Sequence, residues 1–101
     1  MSYESRLKNP QLDFLFDAIL HLQDKEECYR FFEDLCTIRE LHTIAQRINV
    51  AKLLTNKVTY QIIMEQTGAS TTTIGRINKS LIYGASGYQI IFDRLKNKGS
   101  R

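Results

Sequence analysis

The 101-residue sequence predicts an all-α fold of six helices. Two observations carry this. Apolar residues recur at i, i+3, i+4 and i+7, the period of one helical face, and no stretch alternates apolar and polar residues as a half-buried strand would. Most of these segments also follow an Asn, Asp, Thr or Ser that can cap a helix N-terminus. An apolar content of 43% is that of a folded chain rather than a disordered one. At this length there is room for one domain, only marginally able to stabilise itself, so dimerisation would help.

Residues 1–8 read as a polar arm. Asn9 and Pro10 then pair an N-cap with proline at the first helical position. The first helix carries Leu12, Phe14, Leu15, Phe16, Ile19, Leu20 and Leu22, a set too broad for one stripe. A helix apolar around most of its circumference must be covered on several sides, and a second subunit is the natural cover. Asp24, with Glu27 three residues on, makes a capping box for a second helix whose stripe is Cys28, Phe31, Phe32 and Leu35. Thr37 and Glu40 repeat the device for a third helix, with an expected inner face of Leu41, Ile44, Ala45 and Ile48 running through Ala51 toward Leu54. Thr55 and Asn56 mark its end. Thr59 caps a short fourth helix reaching Gln66, and Ser70 or Thr71 caps a fifth reaching about Ile82. Gly84 is expected to close the fifth helix in a left-handed conformation. A sixth helix carries Tyr88, Ile91, Phe92 and Leu95, and residues 96–101 form a basic tail.

Several function classes are disfavoured. No apolar run approaches the roughly 18 residues of a membrane span, and the N-terminus lacks a signal-peptide pattern, so a cytoplasmic protein without a membrane partner is expected. Cys28 and Cys36 fit no common zinc spacing and read as small buried hydrophobes, while His21 and His42 stand in no metal-ligand spacing with them. No metal or cofactor is expected. Asp24, Glu26, Glu27, Glu33, Asp34 and Glu40 sit where a solvated helix places carboxylates, and no nucleophile motif or phosphate loop is present. An enzyme is not expected. Tyr29 and Tyr88 read as core edge.

Charge is unevenly divided. Residues 1–50 hold six Lys/Arg against nine Asp/Glu, a balance of −3, and residues 51–101 hold eight against two, a balance of +6. The basic half either meets a polyanion or is a solvated face. Residues 59–81, TYQIIMEQTGASTTTIGRINKSL, favour the first reading. Two short helices meeting steeply need a turn with positive φ, which Gly68 supplies. Ile62 and Ile63 give the first helix an apolar face, Ala69 fits the corner, and Ile74, Ile77 and Leu81 give the second an inner edge. Its outer face begins Ser70, Thr71, Thr72, Thr73 and continues with Gly75, Arg76, Asn78 and Lys79. Hydroxyls at a helix N-terminus can approach base edges, free backbone N–H groups there attract phosphate, and Arg76 and Lys79 can neutralise phosphates. Three consecutive threonines are poor helix formers, which makes a purely stabilising role unattractive. The alternative is a Thr-rich solvated helix in a bundle.

The stretches TIRELHTIAQRINVAKLL and TGASTTTIGRINKSL resemble the tryptophan repressor superfamily. With YESRLKNPQLDFLFDAILHL and YGASGYQIIFDRL, nearly the whole chain resembles its YerC/YecD branch of small bacterial proteins. The resemblance implies a single domain built as an intertwined homodimer. Residues 1–57 would supply the dimerisation helices, 58–83 a helix-turn-helix, and 84–101 the last helix and tail. It implies a sequence-specific regulator, a repressor of duplex DNA with amino-acid metabolism as its field. Its pseudo-palindromic operator would have half-sites about one helical turn apart. Arg47 and Arg76 match the two arginines that hold tryptophan in the repressors, but Ile77 replaces the glycine that leaves room for the indole. That argues against tryptophan and leaves a smaller amino-acid-like effector, or none. Gln61 and Met64 stand where the repressors carry basic side chains on the first reading helix, so the operator should differ. The alternative function is a protein-interaction module that keeps the repressor fold without an operator.

Overall fold

The computed structural model describes residues 3–99, with side chains to Asn97; the expected basic tail therefore lies partly outside the described residues, as do Met1 and Ser2 of the N-terminal arm. Six helices follow in order: α1 Pro10–Leu20, α2 Lys25–Leu35, α3 Ile38–Thr55, α4 Tyr60–Thr67, α5 Thr71–Tyr83 and α6 Gly87–Gly99. Among the described residues there is no strand, and no helix is long and apolar enough to cross a membrane.

The chain divides into two compact units, residues 1–37 and 38–101. In the first, the capping groups act as their residue types require. Asn9 Oδ1 accepts from the Leu12 N–H at 2.9 Å. Asp24 Oδ1 accepts from the Glu27 N–H at 2.8 Å, while Glu27 Oε1 reaches back to the Gln23 N–H at 2.9 Å. That reciprocal pair satisfies two backbone donors at the start of α2. At the other end of α1 the His21 ring Nδ1 lies 2.7 Å from the Asp17 carbonyl. A carbonyl only accepts, so Nδ1 carries the proton and His21 closes the helix. Two exposed ion pairs, Lys8 to Asp13 at 2.9 Å and Arg30 to Glu26 at 3.0 Å, add little to stability.

What this unit lacks is a core. Neither α1 nor α2 has a fully buried residue, and Phe14 and Leu20 are 76% and 80% exposed. Tyr29 and Leu35 are exposed as well, so Tyr29 is not at a core edge of the single chain.

The core lies in the second unit. Val50 and Ala51 of α3, Ile63 of α4, Ala69 of the turn, and Ile74 and Ile77 of α5 form one buried cluster. Leu53, Leu54, Val58, Leu81, Tyr88 and Phe92 pack around it, with the rings of Tyr88 and Phe92 stacked 5.9 Å apart one turn from each other on α6. Of the stripe expected on α3, this core takes the C-terminal end, with Ala51 enclosed and Leu54 packed against it, and leaves the rest. Ile44 and Ile48 are exposed and Leu41 is half-buried, whereas Val50, which stands outside that stripe, is fully enclosed. Helix α3 thus carries two apolar faces, one packed on α4 and α5 and one in water.

The link from α3 to α4 is a Schellman turn. The Val58 N–H bonds the Leu53 carbonyl and the Lys57 N–H bonds the Leu54 carbonyl, both at 3.0 Å. Val58 and Leu53, which the motif brings together, both pack on the core. The left-handed position, ordinarily glycine, is occupied by Lys57 at φ 65°. Gly84 departs from expectation in the opposite sense. Its φ is −82°, with an extended ψ of −155°, so it does not take the left-handed cap. It is glycine for lack of room, because a Cβ there would collide with the carbonyl of Ser80.

Lys57→Gly is expected to raise the free energy of unfolding by up to about 1 kcal/mol, since a left-handed non-glycine residue costs roughly 1–2 kcal/mol and the added freedom of the unfolded chain returns part of that. A urea melt checks it. Unchanged or lower stability would show that Lys57 bears no backbone strain.

Candidate nucleic-acid interface

The expected outer face belongs to α5, whose placement is set by its inner side. Ile74 is fully enclosed and Ile77 is 3% exposed. With the half-buried Leu81 they seat one side of the helix on α3 and α4 and direct the other to solvent.

The turn before α5 is tied down residue by residue. Gly68 takes φ 74°, the conformation its lack of a side chain permits, and its N–H bonds the Met64 carbonyl at 2.9 Å. The Thr67 hydroxyl donates to the Ile63 carbonyl at 2.7 Å and accepts from the Ala69 N–H at 3.1 Å. From α3, Gln46 Nε2 donates to the Thr67 carbonyl at 3.0 Å. Thr67 and Gln46 are positioning residues that sequence reasoning passed over. A threonine next to glycine at a helix end offers a faint signal, but Gln46 offers none, because its partner lies 21 residues away.

The expected contact residues then separate by what their polar atoms already do. Ser70 caps α5: its Oγ accepts from the Thr73 N–H at 3.1 Å and donates to Thr73 Oγ1 at 3.2 Å. Thr73 is half-buried, so these two hydroxyls are engaged in building the helix start. Thr71 and Thr72 are exposed with no hydrogen bond from their hydroxyls among the described residues. Gly75 and Asn78 are half-buried; Arg76 and Lys79 are exposed. Neither cation has an ion-pair partner among the described residues. Gln61 is exposed on α4, as is Met64. The helix therefore offers a pair of open threonine hydroxyls and two unpaired cations on its solvent side, beside the partial positive charge of its N-terminus.

The fold that carries this face is found in known proteins. The model of the Trp repressor protein family matches residues 10–96. The chain belongs to that family. It is 50% identical over 91 residues to the uncharacterized protein YerC of Bacillus subtilis (strain 168), spanning 90% of this chain and 88% of that one. Among solved structures it is similar to a Trp-repressor candidate from Staphylococcus aureus, with a TM-score of 0.86, 47% identity, and 90% and 91% of the two chains covered. A TrpR-like protein from Eubacterium eligens ATCC 27750 gives a TM-score of 0.87 with 52% identity, covering 90% of this chain and 94% of that one. Membership of the Trp repressor family and likeness to YerC agree with the branch read from the sequence.

Within this family member the expected effector residues are placed unequally. Arg47 and Arg76 are exposed and free of ion pairs among the described residues, while Ile77 is part of the core. An open groove of about 450 Å³ exists elsewhere, between α3 and the end of α4, lined by His42, Gln46, Asn49, Lys52 and Gln66 among others, and contains none of the three. No group of three or more His, Cys, Asp or Glu that could hold a metal occurs among the described residues.

Ile77→Ala is expected to lower stability by about 2–5 kcal/mol, the cost of a cavity in a packed core. If Ile77 only lined a ligand pocket, a chemical-denaturation series would show a loss below about 1 kcal/mol, the range of substitutions away from packed sites.

Proposed function

We propose that the chain is a homodimeric regulator of transcription that reads duplex DNA with α5, acting in the cytoplasm on genes of amino-acid metabolism. The observation carrying this is the division of labour on α5: Ile74 and Ile77 locked in the core, and Thr71, Thr72, Arg76 and Lys79 exposed on the opposite side. Such a helix enters a major groove with its N-terminal side chains against base edges and its cations against phosphates. Helices α4 and α5 then serve as a helix-turn-helix, and the family membership supports the reading.

The dimer is supported by the apolar surface the single chain leaves in water. Phe14, Phe16 and Leu20 of α1, Leu35 of α2, and Ile38, Ile44 and Ile48 of α3 are all exposed. Covering such side chains stabilises by roughly 1.5–3 kcal/mol for each one fully buried. A second copy offers the same surface, and a two-fold axis makes it self-complementary. In this reading residues 1–57 supply the interlocking helices. The reading leaves tryptophan out as effector, because Ile77, which the resemblance sets where the repressors leave room for the indole, packs in the core; it keeps a smaller carboxylate gripped by Arg47 and Arg76, or no effector.

A salt titration of binding to genomic duplex tests the function. Wild-type affinity should fall steeply with salt. In the Arg76→Ala, Lys79→Ala double variant the log–log slope should shrink by about 0.9 for each phosphate that is no longer neutralised. Added tryptophan should leave both curves in place. If the module is instead one for protein partners, duplex is bound at no salt concentration and the double variant changes nothing.

A further inference from the structure

Gly75 lies inside α5, the fifth residue of the helix and well short of its end at Tyr83. An interior glycine is less stable than alanine by enough to lower the Tm of a small domain by roughly 3–6 °C, so it needs a reason. The other glycines whose surroundings are described have one. Gly68 sits at φ +74°, Gly84 has no space for a Cβ, and Gly87 is the first residue of α6, where the interior penalty is smallest. At Gly75 the backbone is helical and a Cβ would meet nothing within 4 Å. Nothing within the chain excludes a side chain there.

The position is on the proposed reading face. Thr71 and Thr72 stand four and three residues before Gly75 and Lys79 four after, so all three are its neighbours along the helix surface, and all are exposed. The missing side chain leaves a shallow notch between them. Its floor is helical backbone, whose N–H and C=O groups are engaged along the helix axis, so the notch offers no hydrogen bond of its own. It therefore admits an apolar group. In the major groove the only such group on a base edge is the C5-methyl of thymine.

Resting on the DNA reading above, we propose that Gly75 is a specificity-determining residue that lets the α5 backbone close on the methyl group of one thymine in each half-site. Alanine at this position fills the notch and holds the helix off the groove, while improving the helix itself. Fold stability and DNA affinity are thereby set against each other at one atom.

The test compares wild type, Gly75→Ala and Ser80→Ala on a duplex selected with the wild-type protein, with Tm and sedimentation measured on each. Gly75→Ala is expected to melt roughly 3–6 °C higher, to keep the wild-type assembly state, and to bind at least about tenfold more weakly. Ser80→Ala, exposed on α5 away from this face, should bind as wild type does. Replacing thymine by uracil at each half-site position in turn should weaken wild type roughly three- to tenfold at one position and leave Gly75→Ala unaffected there. The inference is overturned if Gly75→Ala binds as tightly as wild type, or if it lowers Tm or alters assembly. It is also overturned if no thymine-to-uracil change separates the two proteins. Absence of wild-type binding to any duplex overturns the DNA reading as well, whereas wild-type binding with an unimpaired variant overturns this inference alone.

Discussion

The packing of Ile74 and Ile77 against Val50, Ala51 and Ile63 is the contact on which everything else in the second unit rests. It fixes the rotation of α5 about its own axis, and that rotation decides which side chains meet solvent. Turning the helix by a single residue, about 100°, would bring Asn78 to the core in place of Ile77 and put Ile77 where Arg76 now stands. Three short helices can hold that rotation only because the turn between α4 and α5 is rigidly bonded, through Gly68, Thr67 and Gln46. The Schellman turn at Lys57 does the same one element earlier. The position of the outer face of α5 is thus a consequence of a small core and two well-bonded turns.

A second constraint acts on the first unit, which has helices and caps but no enclosed residue. Burial of apolar area is the main term favouring a fold, and α1 and α2 collect little of it within one chain. The same holds for the Ile44–Ile48 side of α3. The proposed dimer would cover both: one apolar face of α3 closes the core within the chain, and the other is the face a second copy would meet.

Local chemistry makes much of this legible in the sequence. Asn9, Asp24, Thr59 and Ser70 cap the helices that their positions predict, and Gly68 adopts the positive φ its place in the turn demands. The six helices and their order follow from these signals and from periodicity. Two things are hidden. Left-handed Lys57 carries no residue-type signal, and Gly84 carries a misleading one, since close approach to a carbonyl and positive φ both select glycine. The faces of α3 are also misleading, because a stripe such as Leu41, Ile44 and Ile48 reveals that a surface wants covering but not what covers it. On the candidate site, the sequence locates the helix and its residues. It does not separate hydroxyls engaged in capping, Ser70 and Thr73, from those left open, Thr71 and Thr72.

The central claim is that two copies of α5 present their outer faces together to duplex DNA. Selection of bound sequences from a random duplex pool tests it most directly. The predicted result is enrichment of a pseudo-palindrome with half-sites about 10–10.5 base pairs apart, or a multiple of that spacing. Recovery of no enriched sequence, or of a single unpaired half-site, would contradict it.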